Sequence, residues 1–434
     1  MNTTIKKISY KYLLVFLILL TASFDIVAAV KISGLTVRIS QLFIILGIFH
    51  CFVCLQRITF PIGMKWLGLW LVFQFIAAFN CSNYKYSFGY FAWTLLSIGI
   101  IFLFHNIFNS PRKANLLCHL YIYSIVAMAL LGLLQFCLKM AGINFFLTQP
   151  WLNGAKFGSI KIPRLNGFTY EPSYYSTYLL PGWIFIVFLF EKGSVLLSKR
   201  KLGIYSLLVT AALFLCTSRM GWIFMALWVA FRSLVILRRI LSSKISKFHF
   251  LLLVAIIVCI LLAALIALVL VRRNGINFLI TGLGIGGSSS HSSSPRINAL
   301  IGTMKVFLDS PLIGYSLGGI SVEYCNMYHI PMDTGATMCV WMELLAASGI
   351  IGIVLFAFWF YELLFSGMSK NKLNKISAQN ELRGLFYAVI FECLILAINQ
   401  NILRVYFWTL LAVFDAVKSC YSHTTRGCLS SSPD

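Results

Sequence analysis

The chain is 434 residues long, 60% hydrophobic and 11% charged, with a formal net charge of +23. That balance excludes a soluble core wrapped in a polar shell, because too few polar residues are present to cover one. In a soluble protein the charge would suggest a nucleic-acid partner; in a chain this apolar it reads as topological bias and contact with anionic membrane lipid, and no nucleic acid is expected.

Windows of about twenty apolar residues, enough to cross a hydrocarbon core, fall near 11–30, 37–56, 62–79, 86–108, 115–139, 173–190, 202–216, 220–237, 249–271, 337–365, 382–398 and 401–417. The expectation is an all-α polytopic membrane protein of about twelve spans, a single integral domain over 1–434. Lys6, Lys7 and Lys11 flank the first window. Its apolar run is longer than that of a secretory signal and another span follows closely, so it reads as a retained anchor. Most Lys and Arg lie in short loops that belong inside if the N-terminus is cytoplasmic. Both termini are then cytoplasmic, and the two long segments, 139–171 and 272–336, face outward.

The first long loop ends in the most informative stretch, Pro163–Ser176, where Arg164 and Glu171 precede an apolar run and Pro172 opens it as the first residue of a helix. A helix N-terminus offers free N–H groups and positive potential, suited to an anionic or hydroxyl-rich ligand. Tyr170, Tyr174, Tyr175 and Tyr178 gather there. Aromatic rings beside a carboxylate suit a sugar, while the tyrosines by themselves fit an interfacial aromatic belt; both readings are open at this point.

Arg219 sits in the tight outer turn Cys216–Gly221 between two apolar windows, where Thr217 or Ser218 can cap the next helix. A permanent charge there needs a partner or water. Guanidinium and helix N-terminus together would present positive potential to a pyrophosphate, and a snorkelling anchor is the competing reading. In the second long loop the glycine run Gly282–Gly287, followed by the serine tract Ser288–Ser294, reads as a flexible hinge or lid, since the strand-then-helix context of a phosphate loop is missing. Arg296–Phe307 has helical spacing and ends in the turn Asp309–Gly314, which predicts an amphipathic helix with Arg296 at its start. No H-E-x-x-H, aspartate-rich or paired-histidine pattern points to a metal, and no cofactor is expected.

Four motifs in this order resemble the bacterial O-antigen polymerase and O-antigen ligase superfamily: Pro163–Ser176, the turn at 217–219, Arg296 followed by Asp309–Tyr315, and Trp341–Gly352. The resemblance runs from about the fifth span onward. The form Arg-x-x-Gly-x-x-x-Glu-Pro-Ser at 164–173 is most similar to the polymerase branch, which builds O-antigen, capsule or exopolysaccharide chains. The chain departs from the family pattern just before Trp341, where Thr337–Cys339 stands in place of a His or Asn.

What the resemblance implies is a metal-independent helical glycosyltransferase of the GT-C type in the bacterial inner membrane, with its active site periplasmic. The donor would be a glycan on undecaprenyl pyrophosphate, the acceptor a new lipid-linked repeat unit, and a chain-length regulator protein a partner. A leaving pyrophosphate needs fixed cations where no metal serves, and Arg219, Arg296 and Arg164 are the candidates. Glu171 is the candidate to orient the acceptor hydroxyl or take its proton, with His329 as the next acid–base candidate. Tyr170, Tyr174 and Tyr175 are the sugar-binding candidates. A ligase transferring finished glycan to lipid A-core shares the donor chemistry. A lipid-linked oligosaccharide flippase is the transport alternative, disfavoured because few charges, such as Asp25, Glu392 and Asp415, fall within the windows.

Overall fold

The computed structural model describes residues 10–27, 29–32, 35–54, 58–143, 155–157, 160–242, 290–330, 339–366, 379–398 and 402–427. Thirteen α-helices occur among them: α1 (Tyr10–Thr21), α2 (Ile39–Cys54), α3 (Met64–Ala77), α4 (Tyr84–Ile107), α5 (Pro111–Met140), α6 (Pro172–Lys192), α7 (Lys199–Leu215), α8 (Arg219–Ser242), α9 (Ser290–Asp309), α10 (Ser316–Tyr328), α11 (Val340–Phe365), α12 (Gln379–Leu396) and α13 (Val405–Gly427). Two short antiparallel hairpins, β1 (Val30–Ile32) with β2 (Leu35–Val37) and β3 (Ala155–Phe157) with β4 (Ile160–Ile162), interrupt the helices.

The protein is an all-α membrane protein in architecture. Five helices, α4, α5, α6, α8 and α11, are long and apolar enough to cross a membrane, and α1, α2 and α3 are shorter apolar helices. The window expected at 249–271 lies outside the described residues. The end of the serine tract, Ser290–Ser294, already belongs to α9.

Helix α6 is deeply enclosed, as is α13, whose residues 405–420 are all buried. In α6, Tyr175, Leu179, Ile184, Phe185 and Leu189 are fully shielded, and the helix packs against α5, α7, α8 and α12. A proline at its first position costs no hydrogen bond, since that N–H would have no partner within the helix. Helix α13 packs on α4, α5 and α12, and α3 on α11.

Polar contacts segregate to two ends of the helices, as alternately directed crossings require. At one end lie the Asp25 segment, the Phe168 loop, the Thr217 turn and Arg404. At the other lie Asn106 with Thr59, His105 with Asp415, Arg232 with Glu191, and Ser194 with Glu381.

Helix α11 is broken at Gly349, with φ 60° and ψ −168°. The turn 309–315 plugs the break: Ile350 N donates to Pro311 O at 2.9 Å and Tyr315 N to Ala346 O at 3.2 Å. A Cβ on Gly349 would lie 2.2 Å from Leu312 O, and one on Gly314 2.6 Å from Ala346 O, so both contacts require glycine. Two motifs separate in sequence are thus one interlocked unit.

Candidate active site at one end of the bundle

The loop leading into α6 is held by side chains rather than by regular structure. Gln135 on α5 reads it twice, donating from Nε2 to Asn166 Oδ1 at 3.2 Å and accepting from Gly167 N at 3.0 Å. Asn166 and Thr169 close a local turn through Asn166 Nδ2 to Thr169 O, 2.8 Å, and Thr169 Oγ1 to Asn166 O, 2.7 Å. Gly167 takes φ 54°, and a Cβ there would meet the Tyr175 ring at 2.8 Å. Glu171 stands at the N-cap of α6 without capping it through its side chain; its Oε2 instead accepts from Ser173 Oγ at 2.9 Å.

Arg164 ties this loop to the turn between α7 and α8. Its Nε donates to Thr217 Oγ1 at 2.8 Å and its Nη2 to Thr217 O at 3.1 Å, while Ser176 Oγ donates to Ser218 Oγ at 2.9 Å. Thr217 has φ 47°, an uncommon conformation for a residue with a branched side chain, which these contacts hold in place. Burial pulls the Arg164 guanidinium below its usual value; repulsion from Arg219 adds to this, and attraction to Glu171 opposes it. Arg164, Arg219 and Glu171 therefore share one electrostatic environment. Two cations and one carboxylate next to a helix N-terminus can bind a phosphate-type anion and orient a hydroxyl.

A second group of charges extends the site. Asp25, after α1, donates its backbone N–H to Phe168 O at 3.0 Å, and the Phe24 ring meets Phe168 edge-on at 4.6 Å. Asp25 Oδ1 accepts from Arg404 Nη1 at 2.7 Å and lies 3.2 Å from Arg38 Nε. The Arg404 guanidinium covers the ring of Tyr174 at 4.1 Å. Burial is the largest influence and works against the Arg404 charge, but attraction to Asp25, Tyr406 and Tyr174 and the hydrogen bond to Asp25 together outweigh it and leave the group above its usual value. Arg38 goes the other way, lowered first by burial and further by repulsion from Arg404. Sequence reasoning missed this trio because its members are far apart in the chain. The available signal was position, since each arginine immediately precedes an apolar helix start.

The remaining candidates divide. Tyr170 is 45% exposed, and Tyr174 lies half-buried under Arg404. Tyr175 is corrected: it is fully buried and donates its hydroxyl to Met128 O at 2.7 Å, so its ring packs the core and presents no face to a sugar. Tyr178 is likewise buried, with its hydroxyl on Leu19 O. His329 is exposed at the C-cap of α10 with φ 51°, on an element packed on α4, α9 and α11 rather than on the Arg164 loop. Arg296 is in the first part of α9, and its side chain lies outside the described residues. No group of three or more His, Cys, Asp or Glu that could hold a metal occurs among the described residues.

A polytopic helical protein with an arginine- and carboxylate-bearing loop at one end of its helices is the class that this geometry defines. A family model described as O-antigen ligase matches residues 204–357, so this part of the chain is similar to the bacterial O-antigen polymerase and ligase superfamily. Members of that family are glycosyltransferase-like enzymes. The matched segment includes the Thr217–Arg219 turn, Arg296, the 309–315 plug and the broken part of α11; the Arg164–Ser173 loop precedes it. No curated protein matches the chain.

Proposed function

We propose that the protein is an O-antigen, capsular or exopolysaccharide polymerase acting at the outer face of the inner membrane. It moves a growing glycan from undecaprenyl pyrophosphate to the terminal sugar of a new lipid-linked repeat unit. The observation that carries this reading is the joining of Arg164 to the Thr217–Arg219 turn, with Glu171 at the N-cap of the helix that the same loop enters. In the reaction the acceptor hydroxyl attacks the anomeric carbon, the bond to the pyrophosphate breaks, and the leaving lipid pyrophosphate keeps the electron pair. Arg164 and Arg219 stabilise that developing charge, with Arg296 as a third cation. Glu171 orients the hydroxyl and receives its proton, and Tyr170 and Tyr174 contact the sugars.

The superfamily also contains ligases, which share the donor chemistry. The polymerase branch is favoured by the Arg-x-x-Gly-x-x-x-Glu-Pro-Ser form at 164–173. The lipopolysaccharide ladder of a deletion strain separates the two: core capped with a single repeat indicates a polymerase, and bare core with accumulated lipid-linked polymer indicates a ligase. The assignment of Glu171 is tested by Glu171→Gln in a membrane assay with purified lipid-linked repeat unit. Loss of roughly a hundredfold or more in rate is expected, and full activity across pH would remove the carboxylate from the chemistry.

A further inference from the structure

The charges around Asp25 do more than brace the motif loop. Two guanidinium groups, Arg38 and Arg404, converge on one carboxylate oxygen. The side chains are 25% and 12% exposed; Arg38 Nε is buried and held only by its 3.2 Å ion pair with Asp25, and Arg404 Nε is shut off from solvent with no hydrogen-bond partner. A surplus cation held out of water is costly unless an anion completes the group. Arg38 stands directly ahead of α2 and Arg404 directly ahead of α13, so two helix N-termini add positive potential at the same place. The motif loop touches both cation pairs: Arg164 at its start faces the Thr217–Arg219 turn, while Phe168 and Tyr174 contact Asp25 and Arg404.

Chain extension by the reaction proposed above brings two polyprenyl pyrophosphates to the enzyme at once. The donor's is the leaving group, and the acceptor's stays intact beneath its glycan. Resting on that reading, we propose that Arg38 and Arg404 hold the pyrophosphate of the acceptor lipid, while the Arg164–Arg219 pair serves the donor. The geometry of Asp25, whose Oδ1 lies 3.2 Å from Arg38 and 2.7 Å from Arg404, fits the acceptor task. A leaving group requires charge stabilisation as its bond breaks, whereas a spectator pyrophosphate requires only reversible anchoring. Asp25 weakens the Arg38–Arg404 pair in the sense that reversible anchoring needs. A ligase acceptor carries no polyprenyl pyrophosphate, so a second such site is specific to chain extension.

The test is native mass spectrometry of the purified full-length protein titrated with bare undecaprenyl pyrophosphate, paired with transfer kinetics. Wild type is expected to bind two molecules, and Arg38→Gln/Arg404→Gln and Arg164→Gln/Arg219→Gln one each. In transfer, Arg404→Gln should raise KM for the lipid-linked acceptor about tenfold with kcat nearly unchanged, the pattern for loss of uniform binding. Arg404→Lys, which keeps the charge beside Asp25, should retain the second lipid at reduced affinity and so separates charge from folding. Two molecules bound to Arg38→Gln/Arg404→Gln would overturn the proposal, as would a loss confined to kcat. A wild type that binds one molecule overturns it while leaving the lipid-donor reading intact; a wild type that binds none removes both.

Discussion

The two ends of the helices handle charge differently. At the end away from the motif loop the charges are satisfied locally: Glu191 takes the forked contact of Arg232, from Nε at 2.9 Å and Nη2 at 2.7 Å, together with Lys192 Nζ at 2.5 Å, and His105 Nδ1 lies 2.7 Å from Asp415 Oδ2. Lys65 meets Glu362 at 3.5 Å, and the buried Lys418 ammonium donates to Leu363 O at 2.5 Å, capping the end of α11. At the motif-loop end, Arg38 and Arg404 converge on the single carboxylate of Asp25, while Arg164 and Arg219 repel each other near Glu171. A buried guanidinium whose hydrogen-bonding capacity is incompletely met, as at Arg404 Nε, raises the energy of the fold until a further acceptor arrives. On the polymerase reading proposed above, the far end is structural and the motif-loop end binds the ligand.

That contrast can be broken first at Arg219. Arg219→Ala should abolish chain extension, a loss of roughly a thousandfold if one fixed cation on the leaving group is removed. Arg219→Lys should rescue only in part, because an ammonium cannot form the forked contact to a phosphate. The readout is polymer length from purified lipid-linked repeat unit, with membrane levels of the protein matched by immunoblot. Wild-type ladders from Arg219→Ala would make the residue a membrane anchor and erase the distinction between the ends.

A second, smaller effect concerns the scaffold between them. Gly349→Val places a branched side chain at φ 60° and against Leu312 O, so it should expel the 309–315 turn and destabilise the protein by about 3 kcal/mol or more. Thermal unfolding in detergent measures this, and an unchanged midpoint would show that the break in α11 is not held by that contact.

The smallest effects are expected at the matched end. Arg232→Ala should cost about 2 kcal/mol, since it leaves Glu191 with Lys192 alone and strips a cation from the rings of Phe188, Trp228 and Tyr387. Lys65→Ala should cost under about 1 kcal/mol, because its pair with Glu362 is exposed. Both variants should keep chain extension in native membranes. Loss of polymerisation in Arg232→Ala at normal protein levels would blur the line between a binding end and a structural end.

Residues close in sequence announced much of this. The all-α membrane class follows from apolar windows alone, because a backbone in lipid must satisfy its own hydrogen bonds. Pro172 marked the start of α6, and the Arg164–Glu171 loop and the Arg219 turn could both be read as charge at helix starts. Tyr175 could not be separated from Tyr170 and Tyr174 by spacing. Its fate depended on Gly132 and Gly167, which leave the room that its ring and hydroxyl occupy.

Local chemistry in the chain therefore determined the membrane class, the helix starts and the motifs that point to an anionic, sugar-bearing ligand. Tertiary structure alone decided which charges meet. Arg164 with Thr217 and Asp25 with Arg404 are separated by 53 and 379 residues, and the 309–315 turn enters a break in a helix that follows it in the chain. Such pairings depend on which helix ends pack side by side, and hydrophobic periodicity carries the length and face of a helix but not the identity of its neighbours.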